Sequence, residues 1–201
     1  MVRMSSYVVK RVSEIDWNEI EKVELLHQPW LEPCDIQAWA QACHDEQALY
    51  VRMTAKEEKI RATLTEPLSA VSKDSCLEFF FSPCLGDHRY FNFEMNKLGT
   101  IYVGFGGTNR KMRMRQIAKD AKTVFGLNPF DTEDGWGIEM KIPLEFMQMF
   151  VPGYAFKGEA AGNFYKCGDH TEIPHFLAWS ALSSEKPDFH RPIDFGKLIF
   201  E

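Results

Sequence analysis

Two segments of the chain, residues 72–82 and 90–96, alternate apolar and polar side chains with a period of two. Successive side chains of a β-strand point to opposite faces of a sheet, so this pattern predicts two strands that each have one apolar face. In the second segment, Phe91, Phe93 and Met95 share the apolar face. The opposite face of that segment carries Tyr90, Asn92, Glu94 and Asn96.

The stretch that joins these two predicted strands favours a hairpin. Residues 83–89 contain Pro, Gly and Asp, which are typical of turns between antiparallel strands. In the first strand, Leu77, Phe79 and Phe81 share the apolar face. The opposite face of the first strand carries Cys76, Glu78 and Phe80. Antiparallel pairing therefore predicts a two-stranded unit with one apolar face and one polar face.

The polar face of this hairpin combines carboxylates and an amide with aromatic rings. Glu78, Asn92, Glu94 and Tyr90 would lie side by side on it. Carboxylates accept hydrogen bonds from neighbouring hydroxyls, and an aromatic ring packs against the C–H face of a pyranose. The face therefore suits a neutral, hydroxyl-rich ligand such as a sugar. The alternative interpretation is the solvated outer face of an ordinary sheet.

Length and composition predict a single domain over residues 1–201, with an irregular N-terminal segment over residues 1 to about 45. The hydrophobic content of 45% and the 16 Phe residues supply enough apolar material for the core of a β-sandwich. The formal net charge of −6 argues against nucleic-acid and anionic-membrane partners, because both require a positive field.

The amino-terminal residues lack the apolar core of a secretory signal, and no later run is apolar enough to span a membrane. We therefore expect a soluble, cytoplasmic protein. A secreted protein that had been trimmed of its leader would have the same sequence.

The chain has five cysteines, an odd number without the paired short spacing of a zinc site. We predict free, mostly buried thiols, with no metal and no other cofactor. The alternative is a zinc site built from Cys167, His170 and His175, or from residues 43–45.

Further short segments show the strand pattern, and long amphipathic helices are lacking. These segments are residues 7–12, 48–54, 101–105, 136–142, 162–167, 176–180 and 196–200. One helix is predicted over residues 143–150, because Pro143 suits its first turn and Pro152 ends it. Strands separated by turns predict an all-β fold, an antiparallel two-sheet β-sandwich that is jelly-roll-like and has one or two short helices.

Five segments together carry a resemblance to a known family. They are residues 45–53 (DEQALYVRM), 74–81 (DSCLEFFF), 90–96 (YFNFEMN), 136–143 (WGIEMKIP) and 196–200 (GKLIF). In order and spacing they resemble the family 9 carbohydrate-binding modules, most closely the stand-alone, family-9-like branch. Residues 162–169 and 174–180 are similar to further segments of that branch. The resemblance implies a β-sandwich and a non-catalytic, sugar-binding role.

In that family two Trp side chains clamp the sugar, and polar residues on nearby strands bind its hydroxyls. At the positions of the two Trp residues, this chain has Val71–Lys73 and residues 187–191. The resemblance therefore implies a clamp in which Phe189 or His190 occupies one side and the other side is empty.

We predict a module that binds a mono- or oligosaccharide without transforming it. The predicted ligand-binding residues are Glu78, Asn92, Glu94, Tyr165, Trp179, Phe189 and His190. For Trp179 a place in the core is the alternative, since large aromatic side chains usually fill sandwiches. Trp17, Trp30 and Trp39 are expected to cover one end of the sandwich.

Two other functions remain open from the sequence. The first is a glycoside hydrolase in which Glu78 and Glu94 act as acid and base, with carboxyls about 5–9.5 Å apart and one raised pKa. The second is a cytoplasmic interaction or scaffold domain with a vestigial sugar site, which the missing Trp clamp favours.

Residues 110–122 contain six basic side chains and one acidic side chain. This segment is predicted to form a polar hairpin or, alternatively, a patch for an anionic group such as a uronate or a sulfate.

Overall fold

The computed structural model describes residues 5–115 and 120–201. Within them the chain forms mainly short β-strands. The strands are β1 (Ser6–Arg11), β2 (Val23–Glu24), β3 (Gln37–His44), β4 (Ala48–Lys56), β5 (Cys76–Ser82), β6 (Tyr90–Asn96), β7 (Ile101–Gly106), β8 (Met114–Arg115), β9 (Asn128–Thr132), β10 (Gly135–Pro143), β11 (Gly158–Gly168), β12 (His175–Ala178) and β13 (Gly196–Phe200). The two α-helices are α1 (Ala121–Val124) and α2 (Leu144–Phe150). The predicted all-β class and the predicted helix after Pro143 are confirmed.

The strands form one connected ladder in the order β8-β7-β6-β5-β11-β13-β1-β3-β4-β10-β9, with β12 beside β11 and β2 beside β3. The expectation of purely antiparallel pairing is wrong at β1, which runs parallel to both of its neighbours. Its first residues, from Ser6 to Val9, pair with β13, while Lys10 and Arg11 pair with β3. β1 therefore connects two halves of a mixed sheet.

The predicted antiparallel hairpin of β5 and β6 is confirmed, and the structure adds its register. Phe79 lies opposite Phe93, and Glu78 lies opposite Glu94. The six apolar residues that the alternation placed on one face are all fully buried. They are Leu77, Phe79, Phe81, Phe91, Phe93 and Met95. β11 continues this face with Phe164, whose ring stacks on that of Phe79 with 4.8 Å between ring centroids.

The main core lies between the two halves of the sheet. Apolar side chains of β5, β6 and β11 form a single buried cluster with those of β4 and β10, although these groups of strands lie far apart in the strand order. The sheet therefore curls around a shared interior. Trp136 is fully buried there, as predicted. Burial of each large apolar side chain contributes roughly 1.5–3 kcal/mol.

A buried polar network closes one end of the main core. Lys166 is fully buried on β11, and its Nζ lies 3.1 Å from a carboxylate oxygen of Glu57. Glu57 also accepts hydrogen bonds from Ser75 (2.8 Å) and from the indole of Trp136 (3.0 Å). The ammonium of Lys166 donates a further hydrogen bond to His175 Nε2. Burial, followed by the charge of Lys166, lowers the pKa of His175 to about 4, so the imidazole is neutral.

The expectation of an irregular segment over residues 1–45 is wrong for β3, which pairs along its whole length with β4. Its inward residues Ala38, Ala40 and Ala42 are small, so the strand lacks the contrast of large apolar and polar side chains that indicates a strand. β9 also went unpredicted, because Pro129 is untypical of a strand interior. No helix among the described residues is long and apolar enough to cross a membrane.

Candidate functional site

The polar face of β5, β6 and β11 is buried rather than solvated. Glu78 is only 2% exposed and Asn92 only 1%. Aromatic side chains of these strands form a second buried cluster with residues from the C-terminal loop. Its aromatic members include Phe80, Tyr90, Tyr165, Phe189 and Phe195. The interpretation of this face as an ordinary solvated surface is therefore wrong.

A cavity of about 200 Å³, here called the carboxylate pocket, opens onto this face. It is lined by Trp30, Ser72, Glu78, Glu94, Arg110, Cys167, Asp169, Phe176, Pro187, Asp188, Phe189 and His190. The pocket thus combines carboxylates of the sheet with rings from loops. Four of the seven predicted ligand-binding residues line it, namely Glu78, Glu94, Phe189 and His190.

The two glutamates of the pocket lie side by side on paired strands, and burial acts on both. Glu78 accepts a hydrogen bond from the thiol of Cys167 at 3.0 Å. Burial raises the pKa of Glu78 well above the usual range, which favours its protonated form. Burial also raises the pKa of Glu94 to about 7, against the opposing effect of a 2.7 Å hydrogen bond from Asn92. The pair can therefore both donate and accept hydrogen bonds.

Asn92 is held behind the glutamates by a close approach to the neighbouring strand. Its amide donates to Glu94, and its carbonyl accepts a hydrogen bond from the guanidinium of Arg113. The residue opposite Asn92 on β7 is Gly104. A Cβ at that position would lie 2.5 Å from Asn92 Oδ1, so only glycine leaves room for this side chain. Asn92 therefore positions Glu94 and does not itself line the pocket.

His190 enters the pocket as a neutral donor. Its Nδ1 lies 2.8 Å from the hydroxyl of Tyr90. Burial raises the pKa of Tyr90 to about 12, so this hydroxyl keeps its proton and donates a hydrogen bond to Nδ1. Burial, with a smaller contribution from Arg110 and Arg113, lowers the pKa of His190 to about 3. The remaining nitrogen, Nε2, therefore carries the proton and has no hydrogen-bond partner among the described residues.

An aromatic wall borders the carboxylates. The ring of Phe189 stacks on Tyr165 at 4.0 Å between centroids, with the two planes 7° apart. Tyr165 is fully buried behind Phe189 and supports it without lining the pocket. Trp30 lies against Phe189 at 5.5 Å and against Phe176 at 5.3 Å, and its indole donates to the carbonyl of Ser184 at 2.7 Å.

Trp30 lines the pocket together with Ser72, although it is not among the predicted ligand-binding residues. The sequence predicted that it covers one end of a sandwich. The sequence offers one local indication, because Trp30 is an isolated Trp in a segment without strand pattern. That indication does not show which loops the side chain contacts.

Trp179 does not join the other predicted site residues. It belongs to the main core, where its ring contacts Tyr7 at 6.4 Å and Phe164 at 5.7 Å between centroids. It also lies close to Gly196, where a Cβ would come within 2.5 Å of the indole ring. The core interpretation of Trp179 therefore replaces its assignment to the site.

The segment before β5 is fixed by a buried carboxylate, Asp74. It accepts hydrogen bonds from the backbone N–H groups of Thr63 (2.8 Å) and Leu64 (2.9 Å) and from the amide of Asn96 (3.0 Å). Burial alone would raise the pKa of Asp74, but these hydrogen bonds lower it below its usual value. Ser72, two residues before this anchor, lies at the rim of the pocket, where its carbonyl accepts a hydrogen bond from the backbone N–H of Asp169 at 2.9 Å.

A second cavity of about 350 Å³, here called the arginine pocket, adjoins the first. It is lined by Leu68, Ala70, Ser72, Glu94, Tyr102, Arg110, Arg113, Arg115 and His190. The two pockets share four of these residues, which are Ser72, Glu94, Arg110 and His190. Of the predicted hairpin over residues 110–122, β8 pairs with β7 and α1 begins at Ala121, while residues 116–119 lie outside the described part of the chain.

All five cysteines are free, as predicted, and three of them are buried. One possible metal-binding group exists among the described residues. The ligand atoms of Cys76, Glu78 and Cys167 lie within 4.8 Å of one another, and all three residues are buried. Burial raises the pKa of Cys76 to about 12, and the pKa of Cys167 is raised as well by its neighbour Cys76 and by burial. These thiols therefore keep their protons at neutral pH, and Cys167 serves as a donor to Glu78.

A larger cavity of about 790 Å³ lies elsewhere, beside Lys56 and Glu133. None of its lining residues is aromatic. It therefore lacks the ring surface that distinguishes the carboxylate pocket.

Comparison with known protein families gives one match. The sequence profile of carbohydrate-binding family 9 matches residues 8–200. One similar crystal structure is that of a protein from Bacteroides uniformis described as a candidate carbohydrate-binding protein. The two sequences are 30% identical, and the match covers 98% of this chain and 100% of that chain. The structures superimpose with a TM-score of 0.86. No match was found among curated proteins.

Two structures of a family 9 module from Caldicellulosiruptor kristjanssonii have the same fold. One is a complex with glucose, at 13% identity and a TM-score of 0.68, and covers 98% of this chain and 96% of its own. The other is a complex with cellotriose, at 12% identity and the same TM-score, and covers 98% of this chain and 94% of its own.

Proposed function

Because the chain belongs to carbohydrate-binding family 9, we propose that its carboxylate pocket binds a mono- or oligosaccharide. Modules of this family bind carbohydrates without catalysis, and the chain is accordingly not an enzyme. The observation that carries the proposal is the meeting of two glutamates and an aromatic wall in one described cavity. A pyranose needs both, since its C–H face packs on rings and each hydroxyl requires a donor and an acceptor.

Each part of the pocket has a separate task in this proposal. Glu78 and Glu94 exchange hydrogen bonds with the sugar hydroxyls, and His190 Nε2 donates to a hydroxyl or ring oxygen. Trp30 and Phe189 border the apolar face of the sugar. Support comes from their common cavity and from the stack of Phe189 on Tyr165, which restrains the ring before a ligand arrives.

The placement of the glutamates also argues against glycoside hydrolysis. Glu78 and Glu94 project from adjacent, directly paired positions on one wall. An acid and a base for glycosidic cleavage must instead flank the scissile bond. Binding without turnover is therefore the function that this arrangement supports.

Isothermal titration calorimetry with glucose and cellotriose tests the proposal, because a family 9 module of this fold was crystallised with each. We expect a Kd in the high-micromolar to millimolar range for glucose, because the pocket lacks the paired Trp clamp of the family. Trp30→Ala should weaken binding about tenfold, which corresponds to roughly 1.4 kcal/mol. Glu78→Ala should weaken it at least as much, with the fold checked by circular dichroism.

Trp17→Ala is the matched control for the Trp substitution. Trp17 is also half-buried, and its ring lies near the guanidinium of Arg52, away from the pocket. It should leave the affinity unchanged. Tight binding of glucose that neither pocket substitution affects would place the site elsewhere, and a lack of binding to any carbohydrate would refute the proposal.

A further inference from the structure

The arginine pocket has an excess of positive charge in a chain whose formal net charge is −6. Arg110, Arg113 and Arg115 line it, and Glu94 is the single carboxylate in its lining. Arg110 pairs with Asp188 at 2.7 Å. For the other two arginines, no carboxylate oxygen lies within 4.0 Å among the described residues. Residues 116–119, which follow Arg115, contain no Asp or Glu.

Arg113 is the unusual member of this group, because its charge is buried. The residue is only 9% exposed, and its guanidinium donates to four neutral oxygens. These oxygens are the carbonyls of Gly106, Gly107 and Tyr90 and the side-chain carbonyl of Asn92. The guanidinium also lies 4.1 Å from the centroid of the Tyr90 ring. Burial of a charge without a charged partner is costly, so an anion beside it would be stabilised.

Arg115 offers the most accessible donors. Its side chain is exposed, and its one described hydrogen bond joins Nε to the hydroxyl of Tyr102. Within the described part of the chain the terminal nitrogens of Arg115 have no acceptor, and they can donate in the fork geometry that matches a carboxylate or a sulfate.

We propose that the arginine pocket binds an anionic substituent of the sugar, a carboxylate or a sulfate, while the sugar ring occupies the carboxylate pocket. This inference rests on the proposed function and deepens it. The two pockets share Ser72, Glu94, Arg110 and His190, so one saccharide reaches both. The chain is then a module for acidic glycans, such as uronic-acid-containing or sulfated oligosaccharides.

The test is calorimetry with matched sugars that differ in one substituent. Glucose, glucuronic acid and glucose 6-sulfate form one set, and neutral, uronate-containing and sulfated oligosaccharides of equal length form another. We expect at least one acidic member to bind about tenfold or more tightly than its neutral counterpart at 50 mM NaCl. Raising the salt to 500 mM should weaken that member several-fold and leave the neutral sugar unchanged. The uronate and sulfate arms identify the anion.

Variants of Arg115 connect the preference to the pocket. Arg115→Gln should remove most of the preference for the acidic sugar without changing neutral binding, and Arg115→Lys should retain part of it. Arg11→Gln is the matched control, because it makes the same change in net charge at an exposed residue that pairs with Glu46 at the end of β1. It should change neither affinity.

The outcomes separate this inference from the proposed function. If the neutral sugars bind measurably and every acidic sugar binds equally or more weakly than its neutral counterpart, the inference is overturned and the proposed function stands. An acidic preference that survives Arg115→Gln also overturns it, since the preference would then not depend on the arginine pocket. A preference that falls equally in Arg115→Gln and Arg11→Gln overturns it as well, since it would then come from the overall charge. No binding of any sugar overturns both.

Discussion

The two faces of β5, β6 and β11 are almost equally buried and have opposite physical characters. On the core face Phe79 and Phe93 are fully buried, and on the pocket face Glu78 is only 2% exposed. The core face packs aromatic rings against one another, while the pocket face places carboxyl groups against thiols, amides and a cavity. Burial alone therefore does not distinguish a structural face from the face that carries the candidate site.

The direction of the pKa shifts shows the difference between the faces. Burial raises the pKa of both Glu78 and Glu94, which means that folding disfavours their charged forms. Carboxyls shifted in this way and bordering a cavity are typical of functional sites. The core face stabilises the fold. The buried carboxyls of the pocket face lower the stability at neutral pH, and the same carboxyls border the cavity as polar groups.

The largest expected effect is on the core face. Phe93→Ala should lower the free energy of unfolding by about 3–5 kcal/mol, because it removes a fully buried ring and leaves a cavity. Urea denaturation followed by fluorescence measures this. Leu98→Ala, at an exposed apolar residue of the loop after β6, is the control and should change stability by less than about 0.5 kcal/mol. Similar values for both variants would contradict the assignment of this face.

The next effect is an acid sensitivity at the end of the core. The pKa of His175 falls from 6.5 to about 4 on folding, so below pH 6.5 the unfolded chain binds a proton that the folded chain does not. Stability should therefore fall as the pH drops from 6.5 to 4, by on the order of 3 kcal/mol from this residue. His190, whose pKa is lowered to about 3, adds a loss of the same sign on the pocket face.

Unfolding free energies measured at several pH values test this acid sensitivity. His175→Gln keeps an acceptor for Lys166 and removes the titration, so the variant should lose less stability between pH 6.5 and 4 than the unmodified chain. An unchanged slope in the variant would show that His175 is not buried in its neutral form.

The smallest expected effect is on the pocket face and has the opposite sign. The pKa of Glu94 rises from 4.5 to about 7 on folding, so its contribution to stability is present below pH 4.5 and is lost as the pH rises through 7. Glu94→Gln should therefore be more stable than the unmodified chain at pH 8 by about 1–2 kcal/mol, and should show no such gain at pH 4. Thermal unfolding at the two pH values measures the difference.

Glu94→Gln is also expected to weaken sugar binding, so it contrasts directly with Phe93→Ala. The pocket-face variant should gain stability at pH 8 and bind sugar more weakly. The core-face variant should lose stability. A loss of stability at pH 8 in Glu94→Gln would show that the ionised carboxylate contributes to the fold, and the two faces would then not differ in the way described.

Much of the fold could be predicted from local pattern. β5 and β6 alternate large apolar and polar side chains, and this contrast predicted their pairing and their faces. β3 escaped prediction because alanines occupy its inward positions, and their small size weakens the same signal. The parallel pairing of β1 also escaped, because the partners of a strand are distant in sequence and its own residues do not specify them.

The candidate site was predicted only in part. Glu78, Glu94, Phe189 and His190 meet in one cavity, while Trp179 lies in the core and Tyr165 lies behind Phe189. The alternation along a strand indicates on which face of the sheet a side chain lies. It does not indicate whether that face is open to solvent or covered by a loop.

The sequence by itself determined which residues alternate, which strands form the hairpin, and that carboxylates and an amide share one face of it. Tertiary structure alone decided that this face is buried, that Trp30 supplies a wall of the pocket, and that Arg113 and Arg115 adjoin it. The physical reason is separation along the chain. Side-chain periodicity follows from the local geometry of the backbone, whereas the pocket is built by the strand order, which brings together loops and strands that share no local pattern.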